Sequence, residues 1–337
     1  MSTAETRARR SPESVAASES AEPAQTVETT ETAGTAKTEM AAGAGEITGP
    51  ERRSSAEPAP GPLTRSPMAF WRLLGSELGL TFRRPRNQVM LAVVASVPIV
   101  VGVALRIVAG DGDGVGGFIG AVAGNSLMLT FASFSFLVVL LLPIAVSVVA
   151  GDSIAGEAGT GTLRYLLAAP AGRTRLLAVK YLNAVVFSFA VTAVVALSGL
   201  ITGLVLFPAG PVALLSGGTI SMGEGLLRIL IAAGYVGAGM AALAAIGLAL
   251  STLTEVSIGA IAATMVLVIV AQVLRAIPEL DGLAPYLLPT WFTRFDAVLR
   301  SPISFADLGQ GLLVFGAYIG LFCSIAWARF SGKDITS

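Results

Sequence analysis

Histidine is absent from this sequence of 337 residues, and cysteine occurs only once, at Cys323. A Ser-His-Asp or Cys-His nucleophile system needs a histidine, and a His- or Cys-rich metal site needs several such ligands. The composition therefore excludes both kinds of site, and we expect a chain that is not an enzyme and binds no metal. Cys323 lies in an apolar run, where cysteine acts most simply as a small packing residue.

Lysine is also scarce, since only Lys37, Lys180 and Lys333 occur. A phosphate-binding P-loop requires the order Gly-Lys-Ser/Thr, and none of the three lysines stands in that order. We therefore expect no nucleotide and no other cofactor on this chain. If ATP hydrolysis drives the protein, the ATP is bound by a partner subunit.

Charged residues make up only 13% of the chain, against about 25% in soluble domains. Hydrophobic residues make up 54%, and the mean hydropathy is +0.76. These values predict an all-α polytopic membrane protein. About 20 apolar residues form a helix that crosses the hydrocarbon core, and six runs reach that length. The predicted transmembrane helices are residues 88–108, 127–150, 182–206, 228–250, 257–276 and 310–328. Pro98 and Pro143 lie within the first two, and we expect them to kink both helices.

Residues 1–65 contain no aromatic residue and almost no large aliphatic residue. Such a segment cannot bury enough apolar surface to fold. We predict a disordered cytoplasmic tail over residues 1–65, followed by a six-span transmembrane domain over residues 66–337.

The segment Ala69–Phe82 has helical periodicity. Large apolar residues recur on one side and Arg72, Ser76 and Arg83 lie opposite, which predicts an N-terminal amphipathic helix on the membrane surface. The residues assigned to this interfacial helix are Phe70, Trp71, Leu74, Glu77, Leu78 and Phe82.

Basic residues are distributed unequally between the two predicted ends of the spans. One end has Arg72, Arg83, Arg84, Arg86, Arg164, Arg173, Arg175, Lys180, Arg329 and Lys333, and the other has Arg106, Arg228, Arg275, Arg294 and Arg300. Because the richer end faces the cytoplasm, both termini are predicted to be cytoplasmic. In the long outer segment Pro278–Asp307, we expect either short helices at the outer interface or a simple aromatic belt.

The stretch Gly151–Lys180 gathers charged residues between the second and third apolar runs. Gly159 and Gly161 argue against one continuous helix, Pro170-Ala171-Gly172 signals a turn, and Thr174 is placed to N-cap the next helix. The pattern predicts a short helix, a tight turn and a return into the membrane.

This stretch resembles permeases of the type-2 exporter class of ABC transporters (ABC-2). The matching residues are Glu157, Gly161-Thr162-Leu163-Arg164, Leu166-Leu167, Pro170, Gly172-Arg173, Leu176-Leu177 and Lys180. Ser76-Glu77-Leu78 to Arg83-Arg84-Pro85-Arg86 and Arg329-Phe330 to Lys333-Asp334-Ile335 resemble flanking segments of the same family.

The resemblance implies a substrate-exporting permease in the plasma membrane, with a second copy or a paralogue as its dimer partner. It also implies a separate nucleotide-binding ATPase that docks on a cytoplasmic coupling helix between spans 2 and 3, and no nucleic acid. The coupling residues so implied are Glu157, Gly161, Thr162, Leu163, Arg164, Pro170, Arg173 and Lys180. Glu157 and Arg164 are expected to be the fixed polar contacts, paired with each other, with the ATPase or with the interfacial helix.

A stand-alone secondary transporter or channel is the alternative. Ion-coupled carriers usually keep ionisable residues within their spans, whereas the middle of every predicted span here contains no Asp, Glu, Lys or Arg. The sequence therefore favours the ABC permease.

The predicted topology is testable with reporter fusions, because the distribution of basic residues assigns every loop to one side. We expect an external signal at Gly114, Gly217 and Gly282, and a cytoplasmic signal at Gly172, Ser251 and the C-terminus. A cytoplasmic signal at Gly282 or an external one at Gly172 contradicts the topology.

Overall fold

The computed structural model of the chain describes residues 67–110, 124–161, 172–210, 212–213 and 218–332. The predicted tail over residues 1–65 lies outside this described part.

Most of the described chain is α-helical. The helices are α1 (Pro67–Arg83), α2 (Pro85–Gly110), α3 (Met128–Leu137), α4 (Leu141–Gly159), α5 (Arg173–Leu206), α6 (Met222–Leu253), α7 (Ser257–Arg275), α8 (Leu288–Phe292) and α9 (Phe305–Gly332). Short 3-10 helices, Pro278–Tyr286 and Thr293–Leu299, flank α8, and the two-residue strands β1 (Val212–Ala213) and β2 (Thr219–Ile220) pair antiparallel before α6. Six helices, α2, α4, α5, α6, α7 and α9, are long and apolar enough to cross a membrane, as predicted.

The second predicted span is broken into α3 and α4 rather than kinked. Pro143 has no N–H to donate to the Val139 carbonyl, so the helix stops and restarts with Pro143 in the first turn of α4. The Gln272 side chain on α7 donates to the Val139 oxygen at 3.3 Å. This span also ends later than residue 150, because α4 continues to Gly159. At the other predicted kink, α2 runs through Pro98 without interruption.

Helix α6 forms the centre of the bundle. Every residue from Gly239 to Ala249 is buried, and α4, α5, α7 and α9 all pack against α6. Glycines permit this packing: a Cβ atom at Gly237 would overlap the Phe189 ring, and one at Gly247 would lie 2.8 Å from the Ala150 Cβ. Close packing of small residues replaces the hydrophobic driving force that is missing between helices in lipid.

A second close approach joins α5 to the beginning of α3. Gly199 and Gly203 form a Gly-x-x-x-Gly motif on one face of α5, opposite Thr130 and Ser126. A Cβ at Gly203 would overlap the Ser126 carbonyl oxygen, which is backbone and cannot rotate away. This contact explains why both positions lack a side chain.

The outer helices present apolar side chains away from the bundle. Val100 on α2, Ile258 on α7 and Leu313 on α9 are all more than half exposed. Large apolar side chains exposed along whole helices are expected where lipid, rather than water, covers the protein.

The predicted outer segment between spans 5 and 6 is built from short helices. Phe292 is fully buried and Trp291 is almost so, so the aromatic-belt interpretation is wrong for these two residues. Arg228 on α6, only 3% exposed, donates to the backbone oxygens of Val298 (2.5 Å) and Arg300 (2.8 Å) and to the carboxylate of Glu224. These bonds attach the second 3-10 helix to α6.

We predict that Gly203→Ala destabilises the fold by about 1–3 kcal/mol, because the added methyl group has to displace backbone. The measurement is the thermal unfolding temperature of the purified protein in detergent. Gly316→Ala on α9 is the matched control, since a Cβ there meets nothing within 4 Å. An unfolding temperature for Gly203→Ala at or above that of the control contradicts the packing described.

Candidate functional site

A cavity of about 500 Å³ lies between α1, α2, α4 and α5. Among the described residues, six charged side chains line it, three acidic and three basic: Glu77, Asp152, Glu157, Arg84, Arg86 and Lys180. We call it the charged cavity. It lies at the end of the bundle where α2 and α5 begin and α4 ends.

Lys180 on α5 is the most deeply buried of these charges, with a side chain that is 4% exposed. Its ammonium donates to Glu77 Oε2 on α1 at 2.7 Å and to Glu157 Oε1 on α4. One lysine thus joins three helices. A buried ammonium requires this pairing, because removing an ion from water costs on the order of several kcal/mol unless hydrogen-bond partners replace the solvent.

Helix α1 presents polar residues to this site because Glu77 and Thr81 are four residues apart, on one helix face. The Thr81 side chain accepts a hydrogen bond from Asn183 Nδ2, and the Thr81 carbonyl accepts one from Asn87 Nδ2, both at 2.8 Å. Asn183 lies three residues after Lys180, so the same face of α5 supplies both groups. The charged and amide contacts together hold α1 against α5.

Asp152 on α4 forms the second charged contact. Its Oδ2 accepts from Arg84 and from Arg86, each at 2.8 Å, and its Oδ1 accepts from Ser257 Oγ at 2.6 Å. The two arginine side chains are about half exposed, so each pair is worth only about 0–1 kcal/mol. The role of Asp152 is to position the starts of α2 and α7 beside α4.

Ser251 joins α4 to α6 next to this contact. Its hydroxyl donates to the Gly151 carbonyl at 2.7 Å and accepts from the backbone N–H groups of Ile154 (3.1 Å) and Ala155 (2.8 Å). A buried hydroxyl that uses both its donor and its acceptor capacity fixes the relative position of the two helices.

Two of the predicted coupling residues, Glu157 and Lys180, meet directly. Gly161 adopts a left-handed conformation (φ +70°) just after α4 ends, which glycine tolerates best. Arg173 begins α5 and donates to the Ser331 carbonyl at 2.9 Å. The other predicted coupling residues, Thr162, Leu163, Arg164 and Pro170, lie outside the described residues, and so does the Glu157–Arg164 pair.

Thr174 does not cap α5, so that prediction is wrong. The cap position is Gly172, whose φ of +79° suits glycine, and no side chain caps the helix there. Thr174 lies two residues after Gly172, within the first turn of α5, and its hydroxyl accepts a hydrogen bond from Trp327 Nε1 at 3.2 Å. The residue therefore connects α5 to α9.

The predicted interfacial residues form a helix, but they do not share one side. Leu74 is buried and Phe70, Glu77, Leu78 and Phe82 are partly buried, whereas Trp71 is 65% exposed. Trp71 therefore points away from the bundle, and Glu77 occupies the packed side with Leu74. The periodicity located the helix correctly but could not show that its packed face includes a carboxylate.

An apolar cluster supports the same end of the bundle. It joins α4, α5, α6 and α9 through Ile154, Leu176, Leu177, Leu248, Ala249, Ala326 and Phe330. The second leucine pair of the sequence motif, Leu176-Leu177, is thus part of the protein core. Within the described residues, no three His, Cys, Asp or Glu side chains are grouped as they would be around a metal ion.

The sequence analysis missed Asp152, Asn87, Asn183, Ser251 and Ser257 as site residues. A signal was available for Asp152 alone, since this acidic residue and the Arg84-Pro85-Arg86 cluster flank spans at the same predicted membrane surface. The others are small polar residues within or beside apolar helices. The partners of Asn183, Ser251 and Ser257 are 96 to 105 positions away along the chain, and Asn87 on α2 binds Thr81 on α1.

We predict that Lys180→Met destabilises the protein by about 3–5 kcal/mol, because two partly buried carboxylates lose their shared, buried cation. The measurement is the thermal unfolding temperature in detergent, with the exposed Arg329→Met as control. Adding Glu77→Gln and Glu157→Gln to Lys180→Met is expected to restore part of the loss. A Lys180→Met protein as stable as the wild type contradicts the proposed role of the buried ammonium.

One sequence-family model matches residues 99–336, which is most of the predicted transmembrane domain, and its description is "Protein of unknown function (DUF2705)". The match includes Asp152, Glu157 and Lys180 but begins after Glu77, Arg84 and Arg86. A comparison with curated proteins found no match.

Proposed function

We propose a function for this chain from the charged cavity and the helices around it. The chain belongs to the DUF2705 family, and the description of that family gives no function. The proposed function is the permease subunit of an ATP-driven ABC exporter, which forms the substrate pathway and couples to a separate nucleotide-binding ATPase. The proposed location is the plasma membrane, with both termini cytoplasmic and a second copy or a paralogue completing the pathway.

The observation that carries the proposal is the ion pair between Glu157 and Lys180. The two residues flank the segment 158–179, which contains the proposed coupling helix. Because the pair joins the end of α4 to the first turns of α5, it clamps the segment at its base. A force applied to the segment by an ATPase would therefore move α4 and α5 together rather than bend a loose loop.

Further contacts would carry the motion to other helices. Lys180 also binds Glu77 on α1, and Arg173 and Thr174 at the start of α5 bind Ser331 and Trp327 on α9. Transmission of this kind requires contiguous packed and hydrogen-bonded elements. The base of the proposed docking segment has such connections to α1, α4, α5 and α9.

A stand-alone secondary transporter remains the second candidate, favoured by one observation. Lys180, Glu77 and Glu157 are ionisable groups placed together in a largely buried site, and ion-coupled carriers use such groups. However, Lys180 is only seven residues into α5, about 10 Å from its start at 1.5 Å per residue. This position near a helix end suits a structural clamp better than a coupling site at the centre of the membrane.

We predict that Glu157→Gln and Arg164→Ala each leave expression and membrane insertion near normal but abolish coupled ATP hydrolysis. The test uses the full chain, co-expressed with a candidate nucleotide-binding ATPase from the same genome, and the two proteins are reconstituted together into liposomes. The measured quantity is the ATPase activity with permease relative to the ATPase alone. Glu279→Gln is the matched control, because Glu279 is an exposed acidic residue at the opposite end of the bundle.

Unchanged hydrolysis in both variants would show that the segment is only a loop. Transport that continues without any ATPase and stops when the proton gradient is dissipated would support the secondary transporter instead.

A further inference from the structure

We infer that the charged cavity binds the headgroup of a zwitterionic, amine-bearing phospholipid, a phosphatidylethanolamine. In this arrangement the lipid phosphate lies against Arg84 and Arg86, and the ammonium lies against Glu77. The inference requires only that the helices span a membrane and does not depend on coupling to an ATPase.

The phosphate would bind at an arginine pair that Asp152 already holds in place. Each guanidinium uses one nitrogen on Asp152 Oδ2, so the remaining N–H groups of Arg84 and Arg86 have no partner within the described structure. The two side chains are 53% and 49% exposed, which leaves them accessible at the mouth of the cavity. Arginine N–H groups bind phosphate oxygens in strong, charge-assisted hydrogen bonds.

The ammonium would bind at the other part of the cavity. Glu77 uses only Oε2 on Lys180, and its Oε1 accepts no hydrogen bond from the described residues. Two carboxylates, Glu77 and Glu157, surround one ammonium at this part, whereas two guanidinium groups surround one carboxylate at the other. The described charges of the lining sum to zero but are unevenly distributed, and this distribution complements a zwitterion better than a net anion.

A lipid, rather than a soluble zwitterion, is favoured by the surface beside the mouth. Leu80 lines the cavity and is 57% exposed. On α2, Val89, Val93 and Val100 follow Arg86 at +3, +7 and +14, on one helix face, and each is at least half exposed. A lipid whose phosphate binds Arg86 could therefore lay its acyl chain along this apolar face of α2.

The first experiment uses the wild-type chain alone, so that no variant has to fold. Delipidated protein in detergent is titrated with dioleoyl phosphatidylethanolamine, its N-methylated series, phosphatidylcholine and phosphatidylglycerol, and bound lipid is counted by native mass spectrometry. We expect phosphatidylethanolamine to bind about tenfold more tightly than phosphatidylcholine, as loss of one charge-assisted hydrogen bond implies. Affinity is expected to fall with each added methyl group.

Variants then locate the lipid. Glu77→Gln should bring the affinity for phosphatidylethanolamine down to that for phosphatidylcholine. The double variant Arg84→Ala/Arg86→Ala should lower the affinity for both lipids about tenfold. Arg83→Ala is the matched control, because Arg83 is exposed and does not line the cavity. The same loss of affinity in the Arg83→Ala protein would show that the lipid responds to general surface charge, and would contradict binding in the charged cavity.

Two results with the wild-type protein would also overturn the inference. Phosphatidylglycerol bound as tightly as phosphatidylethanolamine would indicate an anionic-lipid surface, and equal binding across the methylation series would remove the ammonium contact. Free phosphoethanolamine that displaces the lipid at equal concentration would show that the ligand is a soluble zwitterion.

Discussion

The buried ammonium of Lys180 is the constraint on which the charged end of this bundle depends. An unpaired charge in this position would be too costly to bury, so the ammonium requires a carboxylate partner, and Glu77 on α1 and Glu157 on α4 both supply one. This requirement places α1 beside the bundle and α4 next to α5. The charged cavity exists because three helices meet around one cation and leave space beside it.

The rest of the bundle is organised by close backbone contact rather than by charge. Helices in lipid gain little from hydrophobic burial, so they associate through van der Waals packing at small residues. Helix α6 has such residues around its whole circumference, with Gly237 and Gly247 against Phe189 and Ala150, and it is therefore the central element. Ser251 and Arg228 add polar contacts towards its two ends, where a hydrogen bond to backbone also fixes register.

Much of the architecture was predictable because it depends on local composition. The six apolar helices follow from length and hydropathy, and the helix before them follows from the spacing of Phe70, Leu74 and Phe82. The break at Pro143 was predicted as a kink, since the sequence shows the missing N–H but not that Gln272 would supply a donor to the freed Val139 carbonyl. Thr174 was predicted as a cap because its residue type is right, but the helix begins at Arg173, so Thr174 lies within its first turn and Gly172 takes the cap position.

The sequence by itself determined that the chain is an apolar, multi-helical protein without histidine chemistry or a P-loop, because these properties depend on residue types and their order. It also identified Glu157 and Lys180 as notable charges. Only the tertiary structure decided that these two residues pair and that Glu77 joins them, because partners 23 and 103 positions away are brought together by helix packing. Side-chain direction decided the rest: Trp71 and Glu77 belong to one amphipathic helix, and which of them faces the bundle depends on the helices packed against it.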